Sequence, residues 1–260
     1  MSPESITRIE ASKLWRANRV EVFDLPEGRV LVKGQRATRS PWPHRLMNTL
    51  AWLARVPYLQ AVPVHGGPRS QKIEIMRLRA LRSAGLPVPE VHHVGPDYFV
   101  MTYLGADDLA RSLREQGRRG FDLWLAALEQ LLKVHTCGQY LSQCFARNII
   151  VSQKFEGLID FEDDPLEVMS LVEAQARDWL VYLQSTLWNL APDRAQLDAA
   201  LGSVLGRESA PVRAILRHAA KRLSWLRWLP TDRTVWGKDF VSMQAVADAL
   251  YRHHLSHAAL

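Results

Sequence analysis

Cysteine and long apolar runs are both scarce in this sequence of 260 residues. The two cysteines, Cys137 and Cys144, exclude a disulfide-stabilised scaffold, and their spacing fits no common zinc-binding pattern. No apolar run reaches the roughly 18–20 residues that a membrane-spanning helix needs. The first residues also lack the apolar core of a secretion signal. We therefore expect a cytoplasmic protein with reduced thiols.

Internal repeats and low-complexity segments are missing as well. Hydrophobic residues make up 47% of the chain and charged residues 23%, which excludes a disordered or collagen-like protein. The length is sufficient for a sizeable core, in either one large domain or two lobes.

The net charge of +6 is distributed unevenly along the chain. Residues 33–82 include ten Lys or Arg and one acid, whereas residues 156–178 include eight acids and one base. Basic stretches attract phosphates, nucleic acids or anionic lipid headgroups, and clustered carboxylates attract metal ions. Charge runs of this kind are more often ordinary solvated faces.

The hydrophobic pattern changes from mixed strands and helices to nearly continuous helix near residues 102–105. Alternating apolar residues around a Pro-Gly turn predict a β-hairpin over residues 19–33. The pattern also predicts short strands at 91–94, 98–103, 148–151 and 157–161. Helices are predicted at 44–55, 71–84, 121–135, 169–190, 194–205, 210–229 and 240–254. This order predicts an α+β fold with lobes at 1–103 and 104–260, the first carrying a basic, Pro-rich helical insertion at about 36–70.

Four polar residues follow one another in an order typical of nucleotide chemistry. Lys33 ends a predicted strand, Glu74 lies in a helix about forty residues later, and Asn148 and Asp160 flank two short strands. A lysine on a rigid strand provides a charge for the α- and β-phosphates, and a helix glutamate can hold it in place. Asparagine and aspartate supply the oxygen ligands that magnesium prefers.

With these residues, the sequence resembles the protein-kinase-like superfamily over about residues 19–190. It is most similar to the small bacterial members: lipopolysaccharide-core and Kdo kinases, aminoglycoside phosphotransferases and the small kinases of tRNA modification. The strings RLRALRSAGLPVPEV and IDFE, in place of DFG, are part of this resemblance. It implies a two-lobed fold with a mixed N-lobe and a mainly helical C-lobe, which binds ATP and Mg²⁺.

The resemblance also implies a role for each matching position. Lys33 and Glu74 correspond to the phosphate-binding pair, and Asn148 and Asp160 to the magnesium ligands. The remaining positions are the gatekeeper Met101, the adenine-binding hinge Thr102–Leu104 with Thr102 and Leu104 at its ends, and Asp178, which braces the catalytic loop.

Two positions depart from the family pattern. The catalytic loop has Leu141 in place of its histidine and Gln143 in place of its aspartate, and glutamine cannot accept a proton as a carboxylate does. No G-x-G-x-x-G precedes Lys33. Arg147 could provide a cation for the γ-phosphate or pair with the acidic run of Asp160, Glu162, Asp163 and Asp164. Asp163 or Asp164 could replace the base, add charge on the metal side, or simply be solvated.

These departures leave three functions open. The first is an ATP-dependent phosphotransferase that acts on a cell-envelope sugar or lipid, or on a protein. The second is a catalytically inactive pseudokinase that serves as a nucleotide-binding scaffold or regulator, and the third is an atypical transferase such as an adenylyl transferase.

Two strings that combine tryptophan with basic residues, at 42–58 and 221–230, are typical of helices at a membrane surface. They are also the pattern of helices that pack on the protein and extend their arginines into water, which is the interpretation that we favour. The two strings leave open a peripheral contact with the anionic inner membrane surface. We expect no specific nucleic acid, because no nucleic-acid-binding module is present.

Overall fold

The protein combines two small antiparallel sheets with helices and is therefore α+β, as the sequence predicts. The structure, a computed structural model, describes residues 1–36, 58, 60, 62–63, 65–115, 117–190, 194–228 and 233–258. The predicted helix at 44–55 and most of the predicted insertion at 36–70 lie outside these ranges.

The larger sheet consists of two hairpins. Strands β1 (Val20–Leu25) and β2 (Gly28–Gly34) form the predicted hairpin, and β3 (Val91–Val94) and β4 (Tyr98–Thr102) form the second. Strand β2 pairs with β4, which gives the order β1-β2-β4-β3. Gly28 begins β2 at a φ of 126°, a conformation that residues with a Cβ rarely adopt.

The two faces of this sheet have different neighbours. Helices α1 (Pro3–Ala11) and α2 (Leu14–Asn18) cover one face. The buried side chains there are Ile9, Trp15, Phe23, Leu25, Val30, Val32, Tyr98 and Val100. Because side chains alternate along a strand, Lys33 and Met101 lie on the opposite face, toward the main core.

Helix α3 (Gly67–Ser83) begins four residues before the predicted start at residue 71. Pro68 is favourable in the first turn of a helix, where its missing N–H has no partner to lose. The buried side of α3 carries Glu74 together with Ile75, Leu78 and Leu81. A glutamate among apolar residues therefore points from α3 toward the core.

The second half of the described chain is mainly helical. Its helices are α4 (Leu109–Glu115), α5 (Gly117–Thr136), α6 (Leu171–Thr186), α7 (Arg194–Gly206), α8 (Ala210–Leu223) and α9 (Arg233–Ala258). A two-stranded sheet, β5 (Ile149–Val151) and β6 (Phe155–Leu158), lies between α5 and α6. None of the described helices is long and apolar enough to cross a bilayer.

Several predicted boundaries are wrong. The strand predicted at 157–161 ends at Leu158, because Asp160 adopts a left-handed conformation with a φ of 70°. The helix predicted at 210–229 ends at Leu223 and continues as a 3₁₀ turn, Ser224–Trp228. Helix α6 begins at Leu171 rather than Met169, because Ser170 and Glu173 form a capping box.

A buried ionic network holds the loop between α5 and β5. Asp178 on α6 accepts a hydrogen bond of 2.6 Å from the backbone N–H of Leu141. His135 lies between two carboxylates, with Nδ1 2.7 Å from Glu208 Oε2 and Nε2 3.4 Å from Asp178 Oδ2. Burial alone lowers the pKa of His135, but hydrogen bonds and charge from the two acids outweigh it and raise the pKa.

We expect His135→Ala to lower the free energy of unfolding by about 3–5 kcal/mol, because it leaves two buried carboxylates without a cation. The stabilisation by His135 is present below the pKa of the unfolded imidazole. It is lost as the pH rises through the higher pKa of the folded state. Urea unfolding of both proteins from pH 6 upward should therefore show the difference shrinking. The exposed His92, changed to alanine, is the control, and an equal effect there would contradict the prediction.

Candidate functional site

Lys33 is a buried ammonium group surrounded by three carboxylates. Its Nζ lies 2.7 Å from Glu74 Oε1, 3.0 Å from Asp160 Oδ1 and 2.8 Å from Glu162 Oε1. Lys33 and Glu74 are 7% and 2% exposed. Burial alone lowers the pKa of Lys33, but the three carboxylates outweigh it and raise the pKa above its ordinary value. Lys33 is therefore charged, and the predicted pair with Glu74 is present.

Glu162 connects three cations, a role that the sequence analysis did not assign to it. Besides Lys33, its carboxylate contacts Arg19 Nη2, and it lies 3.0 Å from Arg36 Nη1. Burial alone raises the pKa of Glu162, but Lys33 and Arg19 outweigh burial and lower the pKa to about 2. Glu162 therefore fixes the start of β1, the end of β2 and the segment after β6 to one another.

A cavity of about 370 Å³ opens beside Lys33. It lies between the inner face of the larger sheet and the two-stranded sheet. Seven of the residues predicted for the site line it: Lys33, Met101, Thr102, Leu104, Arg147, Asn148 and Asp160. Glu74 is behind Lys33 and does not line the cavity. Neither does Gln143. The predicted phosphate, adenine and magnesium positions thus meet around one space.

The segment predicted to be the catalytic loop is held by local hydrogen bonds. Asn148 Nδ2 donates to the backbone carbonyl of Gln143 over 2.9 Å, and Gln143 Nε2 donates to Asp163 Oδ2. Burial raises the pKa of Asp163, although the Gln143 hydrogen bond opposes it. The second carboxylate oxygen of Asp163 is buried without a hydrogen-bond partner in the described part of the chain. The amide of Gln143 thus binds a carboxylate instead of pointing to the cavity.

The arrangement of Asn148 and Asp160 suits a cation. Because Asn148 donates through its amide nitrogen, its side-chain oxygen is the atom left for a ligand. The backbone N–H of Ile159 donates a hydrogen bond of 2.9 Å to the backbone carbonyl of Asn148, which holds the segments that carry Asn148 and Asp160 together. Asp160 is 29% exposed and has a φ of 70°. Strained backbone of this kind for a non-glycine residue is concentrated at functional sites.

A cluster of three carboxylates beside Lys33 is a less suitable metal site than Asn148 with Asp160. Carboxylate oxygens of Glu74, Asp160 and Glu162 lie within 4.8 Å of one another. The ammonium group of Lys33 is in contact with all three. A metal ion at that point would have to displace Lys33, whereas Asn148 and Asp160 face the cavity.

Arg19 and Arg147 bring two more cations to the cavity. Arg19 ends α2 in a left-handed conformation with a φ of 68°. It stands just before β1, and its Nε donates to the Gly34 carbonyl over 3.3 Å. Arg147 is exposed, stacks on the Phe145 ring at 4.3 Å from the centroid, and forms no ion pair with an acid among the described residues. The pairing of Arg147 with the acidic run, one of the two roles weighed from the sequence, is therefore not observed.

Comparison with known proteins adds no independent identification. The sequence matches no protein-family model, and no curated protein is significantly similar to it.

We expect Glu162→Gln to lower the free energy of unfolding by about 3–5 kcal/mol at pH 7, because it removes the buried partner of several cations. The pKa of Glu162 is lowered to about 2. Its stabilisation is thus present above the unfolded pKa and lost as the pH falls toward about 2. Urea titrations should show the difference from wild type disappearing in acid. The exposed, ion-paired Glu115, changed to glutamine, should lose at most about 1 kcal/mol; a similar loss for both variants would rule out a central role for Glu162.

Proposed function

We propose that the protein binds ATP with Mg²⁺ in this cavity and transfers the γ-phosphoryl group, as a two-lobed, protein-kinase-like phosphotransferase. One observation carries the proposal. Seven residues assigned to phosphate, adenine and metal from distant parts of the sequence line a single cavity. Unrelated surface residues would not be expected to converge in this way.

The adenine end of the proposed site is the segment after β4. Met101, Thr102 and Leu104 line the cavity, and the chain leaves the sheet at this point. The backbone N–H of Tyr103 donates a hydrogen bond of 3.3 Å to the Arg29 carbonyl and is not free for a ligand. Leu104 donates no backbone hydrogen bond to any described residue. Its N–H is thus available to a ring nitrogen of the base, and Met101 offers an apolar surface.

The phosphate end is formed by cations. Lys33 is charged and is held by Glu74, so its position is fixed before any ligand binds. Arg19 takes the place of a glycine-rich loop, since it borders the cavity directly before β1. Arg147 borders the cavity from the opposite segment. Phosphoryl transfer depends mainly on positioning and charge neutralisation. Lys33 and Arg19 are held in place by the carboxylates that they pair with and so supply positioning. Arg147, which forms no ion pair with an acid among the described residues, supplies charge.

Asn148 and Asp160 are the residues that would hold magnesium. The ion would neutralise charge on the phosphates when bound. The protein contributes one amide oxygen and one carboxylate, fixed together by the Ile159–Asn148 backbone hydrogen bond.

The acceptor would be a hydroxyl group on a cell-envelope sugar or lipid, or on a protein, as in the families that the sequence resembles.

A pseudokinase is the second candidate, and the geometry at Gln143 favours it. The base position holds a neutral amide that is bonded to the buried Asp163. Neither residue is among those that line the cavity. A protein of this kind would bind the nucleotide and transfer no phosphoryl group, because general base catalysis is missing.

Nucleotide binding predicts a thermal shift. ATP with Mg²⁺ at about 100 times its Kd should stabilise the folded state by about 2.7 kcal/mol, which is roughly 5–10 °C in Tm for a chain of this size. Asp160→Asn should lose most of the magnesium-dependent part of the shift. The control Asp107→Asn changes an exposed acid in a surface ion pair and should keep the full shift. No shift in wild type, with no heat of binding in calorimetry, would refute the proposed site.

The Gln143–Asp163 pair permits a test of the chemistry. Gln143→Asp alone places two carboxylates together, which raises the pKa of one of them by repulsion. We therefore expect little gain in γ-phosphate transfer to water or to the protein itself. Gln143→Asp combined with Asp163→Asn restores an amide–carboxylate hydrogen bond with the carboxylate on the catalytic loop. Because Gln143 does not line the cavity, we expect this exchange to raise transfer by less than about 10²-fold, the lower end of general base catalysis; a larger gain would show that the acceptor hydroxyl reaches position 143.

Labelled ATP distinguishes the candidate functions in the same experiment. Label from the γ-phosphate, rising in the exchanged variant, supports a phosphotransferase that lacks only its base. Label from the α-phosphate indicates an adenylyl transferase. ATP binding without either label, in wild type and in the exchanged variant, identifies a pseudokinase. Adding Asp160→Asn to the exchanged variant should abolish transfer.

A further inference from the structure

Two tryptophans project from the protein, and neither lines the proposed nucleotide site. Trp225 and Trp228 are 58% and 82% exposed, whereas Trp15, Trp124 and Trp179 are buried in the core. Both lie on the 3₁₀ turn Ser224–Trp228 that follows α8. Large exposed apolar side chains grouped together are typical of interaction surfaces.

The turn that carries them is firmly anchored. Leu223 and Leu226 are buried beneath it. Arg227 Nε lies 3.2 Å from Asp248 Oδ1 on α9, and its guanidinium stacks on Tyr251 at 3.8 Å from the ring centroid. The indoles are therefore presented outward by a packed support.

The chain that leads to the two indoles is rich in positive charge. Residues 209–228 include five Lys or Arg and no Asp or Glu. Arg217, Lys221 and Arg222 are exposed, and no ion pair joins them to an acid in the described ranges. Arg217 and Lys221 are four residues apart, which places them on one side of α8, and Trp225 follows on the 3₁₀ turn. We call these exposed cations with Trp225 and Trp228 the Trp–Arg surface.

We propose that the Trp–Arg surface binds anionic lipid headgroups and holds the protein at a membrane surface. Indoles prefer the boundary between headgroups and acyl chains, since one end of the ring system is apolar and the other carries an N–H. Exposed Lys and Arg next to them add attraction to a negatively charged leaflet. This proposal is independent of nucleotide binding.

Single-stranded nucleic acid is the alternative partner for tryptophans among cations. Its binding sites combine aromatic stacking with a positively charged groove that follows the phosphate backbone. The cations here lie on one helix and its following turn, and none of them lines the cavity beside Lys33. This arrangement favours a flat anionic surface over a strand.

Cosedimentation of the full chain with vesicles tests the proposal. We expect more binding to phosphatidylcholine vesicles that contain phosphatidylserine than to phosphatidylcholine alone, and less binding in about 0.5 M NaCl because the attraction is screened. Each cation near the surface contributes about fivefold in affinity. Lys221→Gln with Arg222→Gln should therefore weaken binding by roughly tenfold or more.

Matched variants distinguish binding by the Trp–Arg surface from binding by the positive charge of the whole protein. Trp225→Ser with Trp228→Ser should weaken binding by about tenfold or more, since the apolar contact is lost. Arg114→Gln with Lys133→Gln removes the same charge from exposed positions elsewhere and should bind like wild type. Circular dichroism and Tm verify that each variant is folded, and Trp228→Phe keeps an aromatic ring if the double change does not fold.

Three results would overturn the proposal. The first is equal binding to neutral and anionic vesicles, and the second is unchanged binding by folded variants of the Trp–Arg surface. The third is a loss of oligonucleotide binding in those variants without a loss of vesicle binding, which would assign the surface to nucleic acid.

Discussion

The arrangement of the site depends on one constraint, the burial of the Lys33 ammonium group. Removing a charge from water is expensive unless opposite charges replace the solvent. Here three carboxylates do so, from α3 and from the segment after β6. Glu162 also contacts Arg19 and Arg36. The ion pairs that neutralise Lys33 therefore connect β1, β2, α3 and the segment that carries Asp160, and they restrict where these elements can lie. The cavity is bounded by the elements that this cluster holds together.

The sequence predicts the parts of the fold that follow local rules. The hairpin, the strands β3 and β4 and most helices follow from apolar periodicity and turn residues, because these depend on neighbours in the chain. Boundaries fail where a single residue changes the backbone. The strand before Asp160 ends early because Asp160 is left-handed, and an aspartate gives no sign of this in its sequence context. The 3₁₀ turn at Ser224–Trp228 is likewise set by packing against α9 rather than by periodicity.

The candidate site likewise includes residues that the sequence predicts and residues that it does not. Lys33, Asn148 and Asp160 stand out because their residue types at strand ends suit phosphate and metal chemistry. Glu162 belongs to an acidic run that resembles a solvated surface, and its burial is the signal that distinguishes it. Arg19 could not be found, because its role depends on α2 ending beside the cavity. The partner of Gln143 was also hidden, since the hydrogen bond to Asp163 joins residues 20 positions apart through a loop.

The Glu162 cluster has a consequence for folding. The hydrogen bonds of Glu162 with Arg19 and Arg36 join residues that are 143 and 126 positions apart in the chain. The hydrogen bond between Lys33 and Asp160 spans 127 positions. Long-range contacts have a high loop-closure entropy and form slowly compared with local hairpins and helices. The β1–β2 hairpin and α5 can form from nearby residues, but the ionic cluster requires both halves of the chain to have met. Synthesis from the N-terminus therefore leaves Lys33 without two of its three carboxylates until residue 162 has been made, so nascent chains stopped before it have no assembled site.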